Sequence, residues 1–245
     1  QGELSVISEF DAHGFPKTSG IFETIKTING EPIALGRHMR RALDSALALG
    51  IQMPPEEELR SQLVTLLNQR TFEVGKLRIC IYAEGYHISH EAYVEKIEPL
   101  RLTFFSQTVP GEQHKQFPYD HRFEILKAAQ DEGFDDCILF NGKNEMTESA
   151  VANLLFLIQG EWVTPPITAG VLPGVIRAIA IEKCNVKVRP IHISEIPDIE
   201  SGFSLASLRI AAPISHIGEM KLKIGDSSQD MEAQIRSHAQ PHSVG

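Results

Sequence analysis

Cysteine is scarce in this chain, with 3 among 245 residues, and tryptophan occurs once. Cys80, Cys137 and Cys184 lie far apart and form no Cys-x-x-Cys pair. Their odd number and wide spacing fit neither a disulfide framework nor a zinc site, so we predict no metal centre. Cys80 and Cys137 stand in apolar, strand-like runs, so we expect buried thiols without a catalytic role.

Positive charge is also in short supply: 23 basic residues face 32 acidic residues, which gives a net charge of −9. That sign excludes a chain whose affinity rests on phosphate backbones, so we expect no nucleic-acid partner. No apolar run approaches the roughly 20 residues that a bilayer demands. The first residues also lack the basic and then apolar layout of a secretory signal. The sequence therefore predicts a soluble, cytoplasmic protein without a membrane partner.

Hydrophobic periodicity predicts strands mixed with helices in the first part of the chain. Amphipathic helices are expected at 38–49 and 54–68. The buried face of the first helix is predicted to carry Met39, Leu43, Ala46 and Leu47. Strand patterns cover residues 20–26, 32–35, 76–83 and 100–106. The dipeptide Asn29-Gly30 joins the first two strands as a hairpin turn.

A polar stretch at 107–115, with a Pro110-Gly111 turn signal, is the best candidate for a linker. We therefore expect a small α+β domain at 1–106, a linker at 107–115 and a larger domain at 116–245. Helices in the larger domain are predicted at 119–132, after Pro173-Gly174, and at 228–238. Its predicted strands cover residues 136–140, 153–158, 162–164, 186–189, 203–208 and 214–217.

Two segments of the second part could carry chemistry. Glu148 sits among small residues just before the apolar strand 154–158, either facing water or held against a cationic ligand nitrogen. The turn at 172–174 leads into a helix whose first N–H groups could bind an anion, although Pro-Gly before a helix is also ordinary punctuation.

Taken together, the ordered motifs resemble the class IV aminotransferase family, pyridoxal-phosphate enzymes of fold type IV. That family includes branched-chain and D-amino-acid aminotransferases and aminodeoxychorismate lyase. The motifs are Gly20-Ile21-Phe22-Glu23-Thr24, His38-Met39-Arg40-Arg41, Asn144 to Asn153, Trp162 to Pro166, Leu172 to Arg177, and Ala206 to Ile214. The resemblance implies an α+β or α/β chain with an N-terminal α+β domain and a C-terminal barrel-like domain. It also implies pyridoxal 5'-phosphate in the cleft between the domains, and a homodimer.

The resemblance points to Lys115 as the Schiff-base lysine. The family pattern there is Lys-x-x-Asn-Tyr, and this chain reads Lys115-Gln116-Phe117-Pro118-Tyr119, with Pro118 in place of the asparagine. An amine at the end of a mobile polar linker could bond to the cofactor and also carry the substrate proton. The plainer interpretation is a solvated linker lysine. Lys127, the nearest competitor, is expected on the surface of a helix.

The remaining cofactor contacts follow from the resemblance, residue by residue. Glu148 would pair with the pyridine nitrogen, and Tyr119 would hydrogen-bond the phenolic oxygen. The phosphate would be bound by Arg41, the N–H groups of Val175 and Ile176, and Ser207. Arg40 is the arginine expected to face solvent. Asn153 and Arg177 match the motif and are either structural or functional.

The substrate side of the pocket departs from the family pattern. Residues 14–20 lack the usual aromatic and acidic pair, and the hairpin after Arg78 lacks an evident Pro-Arg pair. Candidates for binding a substrate carboxylate are Lys17, Lys26, Arg78 and His87. The resemblance favours a branched-chain-like aminotransferase that acts on an amino acid and a 2-oxo acid. Alternatives are an aminodeoxychorismate lyase that releases pyruvate and 4-aminobenzoate, and a non-catalytic descendant that binds the cofactor.

Overall fold

The computed structural model describes residues 9–109, 111, 113–242 and 244. Pro110, in the predicted turn signal, lies outside the described residues, as does the start of the chain. Two compact units are present. Unit 1 holds the described residues within Gln1–Glu95, His114–Tyr119 and Gln240–Gly245, and unit 2 holds those within Lys96–Gln113 and Asp120–Ala239.

Helices and strands are mixed along the described part of the chain. The first half contains β1 (Gly20–Ile28), β2 (Glu31–Pro32), α1 (Leu35–Leu49), α2 (Glu56–Gln69), β3 (Val74–Tyr82), β4 (Gly85–Ala92), β5 (Leu100–Thr108) and β6 (Gln116–Phe117). The second half contains α3 (Asp120–Asp131), β7 (Asp136–Phe140), β8 (Met146–Ser149), β9 (Asn153–Ile158), β10 (Glu161–Thr164), α4 (Val175–Lys183), β11 (Lys187–Val188), β12 (Ile199–Ala206), β13 (Ile210–Ile217), β14 (Met220–Lys221) and α5 (Asp226–His238).

Unit 1 is built on an antiparallel sheet in the order β2-β1-β3-β4, with β6 paired to β1. The predicted turn between β1 and β2 is confirmed, because Asn29 and Gly30 both take positive φ values, 50° and 84°. The second predicted strand is shorter than expected. It ends at Pro32, because Ala34 takes a left-handed conformation and turns the chain into α1.

The buried face of α1 is not the one that the sequence predicted. Leu43 and Leu47 are 44% and 73% exposed, whereas His38, Arg41 and Ser45 are buried together with Ala42 and Ala46. Only Ala46 of the predicted face is fully buried. His38 and Arg41 turn inward because the buried Glu23 carboxylate of β1 binds them, and this contact outweighs the apolar pattern. In α2 the amphipathic prediction is confirmed, because Leu59, Leu63 and Leu67 are buried along one face.

Unit 2 contains a 9-stranded mixed sheet whose main path runs β11-β10-β9-β12-β13-β5-β7-β8, with β14 on β13. Strand β5 is parallel to β7 and β13, and the central strands β7 and β9 are buried along their whole length. Strands of that kind read as continuous apolar runs. The path is open between β11 and β8 among the described residues, so the sheet is a half-barrel. The α+β prediction is confirmed.

The two units do not coincide with the predicted ranges 1–106 and 116–245. Strand β5 was assigned to the first domain, but it pairs with β7 and β13 of unit 2. Residues 116–119 were assigned to the second domain, but β6 pairs with β1 of unit 1. Strand pairing between residues distant in sequence sets these memberships, and a local polarity signal does not reveal it. Among the described residues, no helix combines the length and apolar character that a membrane crossing needs.

Candidate active site

Lys115 is held beside a strand. Its carbonyl accepts a hydrogen bond from the Phe22 N–H at 2.9 Å, and the next two residues form β6 on β1. Its Nζ lies 4.5 Å from the centroid of the Phe22 ring and 5.2 Å from that of Tyr119. The backbone at the end of the predicted linker is thus paired with β1. The Lys115 amine and the Tyr119 ring thus lie together around the Phe22 ring.

Gly20 permits the close approach of β6 to β1. A Cβ at this position would come within 2.2 Å of the Ile81 carbonyl oxygen and 2.8 Å of the Phe117 ring. A side chain here would clash first with the backbone of β3 and then with the Phe117 ring of β6. The glycine that opens the Gly20-Ile21-Phe22-Glu23-Thr24 motif thus permits β1 to pair with both strands.

Arg41 belongs to a buried polar cluster on the inner face of α1. Its Nε donates to Glu23 Oε1 at 2.8 Å and its Nη2 to Oε2 at 2.5 Å, while His38 Nδ1 lies 2.6 Å from Oε2. Burial opposes ionisation of Glu23, but the charge of Arg41 and the contacts with His38 lower its pKa to about 2. Burial lowers the pKa of His38, so the imidazole is neutral and donates its proton to Glu23. Glu23 therefore fixes the orientation of the Arg41 guanidinium.

Solvent exposure distinguishes Arg40 from Arg41 and shows where Lys127 lies. Arg40 is exposed while its neighbour Arg41 is buried, as expected. Lys127 lies on the exposed face of α3 and pairs with Asp131 one helical turn away, with a closest distance of 2.7 Å. The surface interpretation of Lys127 is confirmed.

Glu148 is buried at the end of β8 and accepts hydrogen bonds at both carboxylate oxygens. Arg122 Nη2 donates to Oε1 at 2.7 Å. Asn153 Nδ2 and the Leu172 N–H donate to Oε2 at 3.1 and 3.0 Å. The bland interpretation of Glu148 as a loop residue facing water is excluded. The Glu148 carboxylate therefore acts as a hydrogen-bond acceptor and not as a donor. It suits a partner group that donates the proton of the hydrogen bond.

The turn before α4 is locked to the same cluster. Asn153 also donates to the Leu172 carbonyl at 3.0 Å, and a Cβ on Gly174 would lie 1.7 Å from Asn153 Oδ1. Gly174 is the N-cap of α4 and carries no side-chain cap, and Val175 and Ile176 are the first helical residues. Backbone N–H groups at such a helix start can bind an anion.

Ser207 and Arg177 receive different interpretations from the structure. Ser207 lies half-buried in the turn between β12 and β13, whereas the sequence placed it within a strand. In the ladder before that turn, Leu205 pairs with Asn153. Arg177 donates to Thr164 Oγ1 at 3.3 Å and to the Pro165 carbonyl at 2.7 Å, so it ties α4 to β10 as a structural residue.

The residues predicted to bind a substrate carboxylate fall into two groups: two are paired with acidic residues, and two line a cavity. Lys17 is exposed and bonds Glu9, and Lys26 is buried against Glu95. Arg78 and His87 instead line a cavity of about 420 Å³. The other lining residues are Phe10, His13, Gly14, Lys76, Ser89 and Glu91.

Arg78 is the dominant charge of that cavity. Its guanidinium lies over the Phe15 ring at 4.3 Å, its Nη1 donates to the His13 carbonyl at 2.7 Å, and its Nε makes no hydrogen bond within the described part of the chain. Burial lowers the pKa of His87, so its imidazole is neutral near neutral pH. Lys76 is paired with Glu91.

Sequence reasoning missed two buried charged residues near Glu148. Arg122 lies on the inner face of α3 with Ile125 and Ala129, a helical spacing that could have revealed a charge among apolar residues. Asp136 accepts hydrogen bonds from Ser149 Oγ at 2.6 Å and from the Ala150 N–H at 3.0 Å. Burial raises the pKa of Asp136 to about 6 despite these bonds.

The predicted cofactor residues are divided between the units. Lys115, Tyr119 and Arg41 belong to unit 1, and Glu148, Val175, Ile176 and Ser207 belong to unit 2. Taken separately, each unit carries groups that suit a phosphorylated pyridine aldehyde. Unit 1 has an amine beside aromatic rings. Unit 2 has a buried carboxylate that accepts hydrogen bonds and an uncapped helix start held by the close contact of Gly174 with Asn153.

Comparisons with known proteins agree on one family. Residues 20–217 match the family described as amino-transferase class IV, whose members use pyridoxal phosphate and act on amino acids and 2-oxo acids. A candidate aminodeoxychorismate lyase of Schizosaccharomyces pombe is 24% identical over 177 residues, which cover 69% of this chain and 75% of that protein.

Solved structures show the same fold. A candidate 4-amino-4-deoxychorismate lyase from Legionella pneumophila superposes with a TM-score of 0.81 at 21% identity, covering 90% of this chain and 91% of that one. A branched-chain aminotransferase from Thermoproteus uzoniensis, solved with norvaline, gives 0.80 at 21% identity, covering 89% and 84%. The resemblance inferred from the sequence motifs and the fold-type IV prediction are both confirmed.

Proposed function

The chain belongs to the class IV aminotransferase family, and we propose on that basis that it uses pyridoxal 5'-phosphate to transfer amino groups between an amino acid and a 2-oxo acid. When bound, the cofactor supplies an electron sink for negative charge at the substrate α-carbon. The observation that carries the proposal is the Lys115 amine, fixed beside β1 and against the Phe22 and Tyr119 rings.

Each predicted residue has a defined task in this proposal. The amine of Lys115 would hold the cofactor covalently and, when free, would take up and return the proton of the substrate α-carbon. Tyr119 would hydrogen-bond the phenolic oxygen, and Glu148 would accept a hydrogen bond from the ring nitrogen. Arg41, the N–H groups of Val175 and Ile176, and Ser207 would hold the phosphate.

Borohydride reduction tests the assignment of Lys115. Protein incubated with pyridoxal phosphate should absorb visible light, lose that absorbance on reduction, and carry the label on Lys115 in peptide mapping. The exposed Lys127 is the matched control, and Lys127→Arg should label like the wild type. A label on Lys127, or none at all, would contradict the proposal. A labelled protein that never converts bound cofactor to its amine form with any amino acid would instead be the non-catalytic descendant.

The cavity in unit 1 favours a second candidate, an aminodeoxychorismate lyase. A branched-chain side chain prefers apolar walls, whereas this cavity presents the Arg78 guanidinium, the His87 imidazole and the Ser89 hydroxyl. Aminodeoxychorismate carries more than one carboxylate, and an arginine is well suited to bind such a group. The same lysine chemistry would then release pyruvate and leave an aromatic amine.

An assay without any 2-oxo acid distinguishes the two functions. The lyase forms pyruvate from aminodeoxychorismate alone, whereas the aminotransferase stops after it has converted its bound cofactor. Arg78→Gln should raise the KM for substrates with a second carboxylate by about tenfold or more, the effect of one lost charged hydrogen bond. It should leave the KM for valine within about twofold. If the KM changes equally for valine and for substrates with a second carboxylate, Arg78 does not bind that second carboxylate.

The proposal includes a homodimer in the cytoplasm, supported by the family resemblance. Sedimentation equilibrium of the purified chain tests the oligomeric state, and a mass of one chain across micromolar concentrations would contradict it.

A further inference from the structure

Arg122 and Glu148 form a buried ion pair in unit 2. Their side chains are 3% and 6% exposed, and the Nη2 to Oε1 distance is 2.7 Å. The Nη1 of Arg122 also points to the Ser149 carbonyl at 3.4 Å. Arginine keeps its charge at any working pH, so Glu148 faces a permanent cation in this interior.

Both oxygens of the Glu148 carboxylate already accept hydrogen bonds from the protein. One oxygen is bonded by the guanidinium, and the other accepts from the Asn153 amide and the Leu172 backbone. A ring nitrogen that carries a proton would share this carboxylate with Arg122. Two cations around one anion repel each other, and the repulsion is strong where water is excluded.

We propose that Arg122 is a positioning residue that weakens the hold of Glu148 on the protonated ring nitrogen of the cofactor, and so tunes the cofactor toward its less protonated form. The inference rests on the proposed function, because it needs Glu148 at the ring nitrogen. Arg122 acts only through Glu148. With Glu148 shared between Arg122 and the ring nitrogen, the cofactor is a weaker electron sink than it would be beside Glu148 alone. The enzyme is then restricted to substrates whose α-proton is easily removed.

Affinity for two cofactors measures the ring-nitrogen contact directly. The ratio of the Kd of 1-deaza-pyridoxal phosphate, which lacks the nitrogen, to the Kd of pyridoxal phosphate isolates that contact. Arg122→Gln should raise this ratio about tenfold, because the carboxylate is no longer shared with a cation. Lys127→Gln removes the same charge from the exposed face of α3 and should leave the ratio unchanged. An unchanged or smaller ratio in Arg122→Gln would overturn the proposal.

Two further measurements separate the possible failures. Glu148→Gln should bring the ratio close to one, and a ratio equal to that of the wild type would refute the placement of Glu148 in the proposed function. If Arg122→Gln does not fold, Arg122→Lys and the ¹⁵N chemical shift of labelled cofactor bound to the wild type serve instead. We expect Arg122→Lys to keep the ratio within about threefold and the shift to report a partly protonated nitrogen at neutral pH. A fully protonated nitrogen in the wild type would overturn the proposal.

Discussion

Each unit contains a buried pair of a carboxylate and an arginine, and the two pairs are built differently. In unit 1, Arg41 contacts both oxygens of Glu23 through Nε and Nη2, and His38 adds a further contact. In unit 2, Arg122 contacts one oxygen of Glu148 through Nη2, and the other oxygen accepts from an amide and the backbone.

The difference shows which member of each pair is oriented by the other. The Glu23 carboxylate is enclosed by its arginine and histidine, so it acts as a support that aims the Arg41 guanidinium. The Glu148 carboxylate is oriented by its arginine and amide, so in unit 2 the carboxylate is the group whose orientation is fixed. The same residue types thus orient a guanidinium in unit 1 and a carboxylate in unit 2.

Removing the acid of the first pair should have the largest effect on stability. Glu23→Gln leaves the buried Arg41 charge without its counterion, and breaking one partner of a buried ion pair lowers the free energy of unfolding by about 3 to 5 kcal/mol. Urea unfolding at neutral pH measures the change. Glu56→Gln breaks the exposed pair with Arg60 and should change the free energy of unfolding by less than about 0.5 kcal/mol. Equal losses in the two variants would show that the Glu23 cluster is not tightly held.

Asp136 tests what a buried carboxylate does when hydrogen bonds, and not an arginine, hold it. Burial raises its pKa from 3.8 to about 6, so the fold favours the protonated acid, opposite to Glu23. Below about pH 4 the acid is protonated in both the folded and unfolded chains, and its effect on stability vanishes. Between about pH 4 and pH 6 the unfolded chain loses the proton first, so stability falls as the pH rises, by about 3 kcal/mol in total.

Asp136→Asn removes this titration, and its unfolding should be compared with the wild type at several pH values. The free energy of unfolding of the variant relative to the wild type should rise through that window and stay level above it. A difference that is flat from acid to neutral pH would contradict the raised pKa of Asp136.

The second pair can be disturbed through its amide partner. In Gly174→Ala the new methyl group would overlap Asn153 Oδ1, and the displaced amide would lose its bonds to Glu148 and Leu172. We expect a loss of about 1 to 3 kcal/mol in the free energy of unfolding, together with weaker cofactor binding. Gly142→Ala is the matched control, because no atom lies within 4 Å of its added Cβ. Additive losses in Gly174→Ala and Asn153→Ala would rule out the proposed coupling.

The smallest effect should come from the outer face of α1, opposite the Arg41 cluster. Leu47 is 73% exposed, so Leu47→Ser should change the stability of one chain by less than about 0.5 kcal/mol. Ala46→Ser, one residue earlier and buried, places a hydroxyl in the interior and should lower the free energy of unfolding by about 1 to 3 kcal/mol. A larger loss of stability in Leu47→Ser than in Ala46→Ser would support the buried apolar face of α1 that the sequence predicted.

Sequence patterns predicted most of the regular elements and the identity of the family, because apolar periodicity and turn residues are local signals. They did not predict β6, β8 or β14, which are short and hold their place through pairing with β1, β7 and β13. Strand β4 was implied only as part of a hairpin after Arg78, without bounds. The face of α1 was misassigned because Glu23, distant in sequence, draws His38 and Arg41 inward. Arg122 escaped notice for the same reason, since its partner Glu148 lies on another element. The motif residues themselves were found, but the side chains that orient them were not.

The backbone of Lys115 is paired with β1 through the Phe22 N–H, so the register of a small sheet determines where this lysine leaves the chain. Substitutions that shift β6 along β1 would displace Lys115 even if every motif residue were kept. Libraries aimed at new substrates should therefore keep Gly20 and residues 115–119. They should also keep Val109 and Gly111, because Val109 is buried and Gly111 lies against the backbone of Gly170.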